Sequence, residues 1–273
     1  MRIITAHRAH QAGPVKRRST ILLGVLAIGT SLLTAGATSD TDEPLLITAD
    51  HRTTAATVVK FAERAHYEDV RVDDGISKET LRNFIQLLDG QNLFFLTNQE
   101  AYFESEYGDR LDDAMRNGAL DPVFGIYRLF LLRMSSYFDF AQEYLDSQPE
   151  LNTDRTWVLD REDALRPNNQ AQLNEVWSDR IRHELINLVL DDRTYEEAVE
   201  ALRERYARQR KSLFAQDSDD VFALFMNAFT RALDPHSTYF SPHNFEEYRI
   251  QMSRAYFGVG ASLTAEDDYV LVR

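Results

Sequence analysis

Asp234, His236 and Ser237 put a carboxylate, an imidazole and a hydroxyl into one short stretch, the three groups of an acyl-transfer relay. A relay needs three separate side chains in line, and residues this close in one turn do not generally reach that geometry. His236 and His243 sit in a loop bracketed by Pro235 and Pro242. Without a cysteine or a further histidine nearby they fall short of a zinc set. The four lysines are Lys16, Lys60, Lys78 and Lys211, and none stands at a dyad spacing from a serine. The chain has no Gly-x-Ser-x-Gly, Ser-x-x-Lys or His-Glu-x-x-His motif. Gly258-x-Gly260 lacks the third glycine and the strand–helix setting of a nucleotide fingerprint. No catalytic residue, metal or cofactor is therefore expected.

The elements that hold these residues are helices. The 273 residues are 44% hydrophobic and 11% aromatic, enough for a packed core, while Gly and Pro number only 11 and 7. Sparse turn residues favour long helices over many short strands. Cysteine is absent, which removes disulfides, thiolate metal sites and cysteine nucleophiles together. The net charge of −14 repels nucleic-acid phosphates and anionic lipid headgroups, so no nucleic-acid partner is expected.

The first 37 residues read as a secretory signal peptide. Lys16-Arg17-Arg18 precedes an apolar run from Ile21 to Ala35, and Ala35-Gly36-Ala37 offers small residues for cleavage. The run is short for a membrane span and contains Gly24, Gly29, Thr30 and Ser31. The rival is an uncleaved anchor, the one route by which the chain would touch a membrane. Either way the bulk of the chain is expected outside the cytoplasm, in the periplasm of a bacterium with two membranes.

Apolar residues recur at helical spacing from Thr54 to about Val70, with Val58, Phe61, Ala62 and Ala65 on one side. Ser77 reads as the N-cap of a second helix, closed by Gly90. Thr97 with Glu100 has capping-box spacing for a third, ending near Gly108. Asp121-Pro122 opens a long helix to about Leu145, with Asp121 as cap. Its wide apolar stripe points to burial on more than one side, as core rather than partner groove. Residues 146 to 169 are irregular. Helices follow from about Gln170 to Leu190, from the Thr194/Glu197 capping box to Phe214, and from Val221 to about Leu233. The Arg- and Glu-rich surface of the 195–214 helix reads as a solvated face of i,i+4 pairs. Beyond Leu233 come turns, a short helix over 246–252, and two strands around a turn at Glu266-Asp267-Asp268.

Leu233-Asp234-Pro235-His236-Ser237-Thr238-Tyr239-Phe240-Ser241-Pro242, followed by Glu246, Met252 and Gly258-Val259-Gly260-Ala261, resembles the lead-in to the PDZ domain of the carboxy-terminal-processing serine proteases. It is most similar to their tail-specific branch of the Gram-negative periplasm. Phe61-Ala62-Glu63-Arg64-Ala65-His66-Tyr67, Leu87-Leu88-Asp89, the Trp177 helix, Arg205-Tyr206, Asp220-Val221-Phe222 and Ala228-Phe229 resemble the helical domain of that branch, in order.

The resemblance implies a mainly α fold, a multi-helix N-terminal domain followed by the first strands of an incomplete PDZ domain. The implied divisions are a signal peptide over 1–37, the helical domain over 38–233, and a linker with a truncated PDZ start over 234–273. It implies protein substrates with nonpolar C-termini, captured by strand addition, with Gly258, Val259 and Gly260 at the carboxylate-binding loop. The competing role for those glycines is simply the turn into the first strand. A periplasmic adaptor protein docking on exposed helices is implied as a partner. The family's Ser nucleophile and Lys base lie beyond the PDZ domain, and no residue here matches either. The resemblance therefore implies the front of a protease that is inactive alone. The alternative is a non-catalytic periplasmic binding or scaffolding module whose two strands pair with another chain.

Overall fold

Helix starts in this chain are fixed by short polar side chains that accept from backbone N–H groups left over in the first turn. The computed structural model describes residues 45–67, 69–253, 263–266 and 269–272. The first 37 residues, and Gly258, Val259 and Gly260, lie outside the described residues.

Helix α1 (Ala49–Ala65) starts earlier than its apolar spacing suggests, because Thr48 and His51 form a reciprocal cap. His51 N donates to the Thr48 hydroxyl at 3.1 Å, and Thr48 N donates to His51 Nδ1 at 3.2 Å. Helix α2 (Asp74–Asp89) is capped by Asp73, not Ser77. The Asp73 carboxylate accepts from Gly75 N and Ile76 N, so the helix begins a turn sooner. Ser77 is buried instead, and its hydroxyl accepts from Leu111 N at 2.8 Å.

At α3 (Thr97–Tyr107) the cap position belongs to Leu96, whose N–H donates to Gln99 Oε1 at 3.0 Å. The Thr97 hydroxyl is drawn away to the Arg166 carbonyl at 3.0 Å, so no Thr97–Glu100 box forms. The short α4 (Leu111–Asn117), not anticipated from the sequence, ends at Gly118 with φ +66°. Helix α5 (Asp121–Asp146) has Asp121 as its first helical residue and no side-chain cap at Leu120. Pro122 sits in its first turn, as expected.

Helices α6 (Gln170–Leu190), α7 (Tyr195–Phe214) and α8 (Ser218–Leu233) are capped by Asn169, Thr194 and Asp217. The Thr194/Glu197 capping box is present in both directions. Helix α9 (Pro242–Ser253) is longer than the 246–252 stretch read from sequence. Strands β1 (Leu263–Glu266) and β2 (Tyr269–Val272) pair antiparallel, with Leu263 opposite Val272 and Glu266 opposite Tyr269.

Two helical groups share one core. Helices α1, α2, α3, α4 and α8 form the first, with α2 packed along α8. Phe84 meets Phe225 edge-on at 5.5 Å between α2 and α8, and Asn83 Nδ2 donates to the Ala228 carbonyl. Helices α5, α6 and α7 form the second, and α5 also reaches α8. The wide stripe of α5 is buried on several sides: Phe124, Tyr127, Phe130, Tyr137, Phe138 and Ala141 are all core. Each fully buried large side chain of this kind contributes about 1.5–3 kcal/mol.

Polar groups in the second group are matched in a chain. Tyr137 OH donates to Tyr206 OH at 3.2 Å, and Tyr206 OH donates to Glu184 Oε2 at 3.0 Å. Burial pushes both phenols up, so each stays a neutral donor. The charged face of α7 also works across helices. Arg203 pairs with Asp146, Arg205 with Glu184 at 2.7 Å and Arg210 with Asp139 at 2.6 Å, reaching α5 and α6. Only Arg208–Glu204 is an i,i+4 pair of the expected kind. Among the described residues, no helix is long and apolar enough to cross a membrane.

Candidate functional site

The residues that most resemble a relay in sequence are gathered by the end of α8. Asp234 is the C-cap residue of that helix and is buried. Its Oδ1 accepts from His236 N at 2.7 Å, and its Oδ2 accepts from the Ser237 hydroxyl. His66 Nε2, from the end of α1, lies 3.2 Å from Oδ2. The Ser237 and His236 N–H bonds, with His66, outweigh burial and hold the carboxyl down at about 2.

This arrangement does not activate Ser237. The hydroxyl donates to a carboxylate that is too weak a base to take its proton, and the His236 ring is on the exposed side of the turn. What the cluster does is fix the path of the chain out of α8. Tyr239 N donates to Asn227 Oδ1 at 3.0 Å, and the Tyr239 ring packs edge-on against Phe222 at 5.7 Å. Lys78 is not a base in waiting either. Lys78 is exposed, and its bond to Asp109 at 2.6 Å raises its pKa, the opposite of what a neutral base requires. Among the described residues, no group of three or more His, Asp or Glu side chains is placed to hold a metal ion.

A second feature escaped sequence reasoning. The irregular segment 146–169 crosses the α2–α3 corner as a strap. Asn92, at φ +55°, donates through Nδ2 to the carbonyls of Glu162 at 3.0 Å and Ala164 at 2.8 Å. Thr97 N donates to the Pro167 carbonyl at 3.0 Å. Beneath the strap, the Asp89 carboxylate has no exposed surface and accepts from Leu93 N, Phe94 N and Phe95 N. Arg166 from the strap meets Asp89 at 2.5 Å and Glu100 at 2.8 Å. One buried carboxylate thus ties the end of α2, the corner and the strap together.

The strap closes one end of an open cleft of about 870 Å³. Its walls are single faces of two helices: Lys78, Arg82 and Gln86 on α2, and Thr97, Glu100 and Glu104 on α3. The Lys78–Asp109 bond joins the start of α2 to the residues just past α3, so the two helices run antiparallel. Leu81 and Ile85 form the floor, and Leu165 projects from the strap at the rim.

The sequence model described as the tail specific protease N-terminal domain matches residues 58–243, from within α1 to the start of α9. A tail-specific protease of Haemophilus influenzae is 30% identical over 210 residues. That match covers 77% of this chain and 30% of the relative, so the chain spans about 30% of the length of the curated relative it matches.

Proposed function

Because the chain belongs to the tail-specific protease N-terminal domain family, we propose that it forms the helical front of a periplasmic serine-type endopeptidase. The whole enzyme would degrade or process proteins from nonpolar C-termini. The observation that carries this reading is the continuous match over 58–243, which takes in both helical groups and the exit at Asp234.

In this reading the Ser nucleophile and Lys base belong to the remainder of the longer protein, and the helices act as scaffold. The clamped turn at Asp234 sets where the next domain begins. Strands β1 and β2 would be the first strands of a PDZ domain, with Gly258, Val259 and Gly260 presenting backbone N–H groups to a substrate carboxylate. Export by a cleaved signal peptide over residues 1–37 delivers the protein to the periplasm, where an adaptor protein is a natural partner for the exposed helices.

The test is direct. The purified chain is incubated with a peptide ending in apolar residues, and the products are read by mass spectrometry. No cleavage is expected; cleavage blocked by a serine-directed reagent would place the machinery within these residues and overturn the reading.

A further inference from the structure

The cleft between α2 and α3 carries acidic groups that nothing in the fold answers. Its cations are already committed: Lys78 to Asp109, Arg82 to Glu79, and Arg166 to Asp89 and Glu100. Glu162, on the strap, accepts from Gln86 Nε2. Glu104, on the α3 wall, and Asp163, on the strap, line the same cleft and are exposed. Neither has a side-chain hydrogen bond or ion pair among the described residues.

Between them the cleft mixes polar and apolar surface. Leu81 and Ile85 are buried in its floor, while Leu165 stands 93% exposed at the rim. Leu165 thus offers apolar surface at the mouth of the cleft. The face of α2 from Lys78 to Asp89 is about 16 Å long at ~1.5 Å per residue. That length accepts about five residues of extended chain at ~3.3 Å each.

We propose that this cleft is a docking site for an extended segment of another polypeptide in which lysine or arginine flanks apolar residues. The apolar side chains lie over Leu81, Ile85 and Leu165, and the cations meet Glu104 and Asp163. The Asp89–Arg166 knot keeps the strap in place before the segment arrives, so little ordering is needed on binding. The inference stands on the cleft alone and does not depend on the protease reading.

The experiment is fluorescence anisotropy with the full chain and a labelled peptide of alternating lysine and leucine. A peptide with glutamate in place of lysine is the comparison. Binding of the basic peptide only is expected. Glu104→Lys combined with Asp163→Lys should weaken it roughly tenfold, and Leu165→Ser should weaken it severalfold. All three positions are exposed, so the fold is preserved. The control is Glu196→Lys with Glu200→Lys on α7, which makes the same change in net charge elsewhere and should leave affinity unchanged. Equal binding of both peptides would overturn the proposal. So would equal weakening by the two double variants, which would reduce the effect to bulk charge, or full affinity in the Glu104/Asp163 variant.

Discussion

His66 Nε2 lies 3.2 Å from Asp234 Oδ2, and this contact repeats one made at the other end of the same two helices. His51 Nε2 lies 2.6 Å from Asp219 Oδ1. Both contacts join residues 168 positions apart, so α1 and α8 run in the same direction and in register. Each helix of the pair is thus fastened at its start and its end. The His51 ring is also stacked on Phe222 at 4.7 Å, which makes the upper clasp part of the core. The lower clasp sets the path of the chain as it leaves α8.

Acid should loosen that exit. The Asp234 carboxyl is held down at about 2 by Ser237, His236 N–H and His66, below its value in the unfolded chain of about 4. A carboxyl lowered by folding adds stability above the unfolded value and loses it as pH falls through the folded one. The urea midpoint of Asp234→Asn should lie below that of the parent at pH 7, and the gap should close as pH approaches about 2. A gap independent of pH would show that the charge of Asp234 is not what matters.

Removing the buried carboxylate at the α2–α3 corner should be costly. Asp89→Ala leaves three backbone N–H groups without their acceptor and the buried Arg166 guanidinium with Glu100 as its one remaining carboxylate among the described residues. Breaking such a site costs about 3–5 kcal/mol. Urea unfolding measures this, and protease nicking within 150–168 should rise in the same variant as the strap detaches.

Gly118 is needed for its backbone. Its φ of +66° is unfavourable for other residues, and an added Cβ would stand 2.7 Å from Arg52 Cβ. Gly118→Ala should lower stability by about 1–3 kcal/mol from strain and overpacking together. Arg52 cannot relieve this by changing rotamer, because the atom met is its own Cβ. An unchanged thermal midpoint would contradict the account.

Trp177 joins the two helical groups through one bond. Its Nε1 donates to the Leu93 carbonyl at 2.6 Å, from a ring that is 1% exposed. Trp177→Phe keeps an aromatic ring but leaves that carbonyl unpaired, which should cost about 1–3 kcal/mol. Chemical denaturation of the variant, followed by circular dichroism, gives the figure.

The helices were legible because their signals are local. Thr194 with Glu197, and the apolar period of Leu173, Trp177, Ile181 and Leu185, announce α7 and α6 without reference to the rest of the chain. The start of α2 and the cap of α3 were misread because tertiary partners prevailed over local ones. Ser77 is engaged by Leu111 N and Thr97 by the Arg166 carbonyl, both distant in sequence. Helix α4 was invisible because seven residues give too little periodicity. The strap and its cleft were hidden for a stronger reason. Asp89 and Arg166 are 77 positions apart, and nothing near either residue marks it as half of a buried pair. Asp234, His236 and Ser237 spell a relay in sequence, whereas in the fold Asp234 orders the turn, and the bonds it accepts there lower its basicity.

The most direct test of the central claim is to read the coding sequence past codon 273. The account predicts a frame that continues, directly or after one frameshift, through the rest of a PDZ domain into a core with a Ser and a Lys. A downstream sequence with no such core would contradict it and leave a non-catalytic helical module whose partner is still to be found.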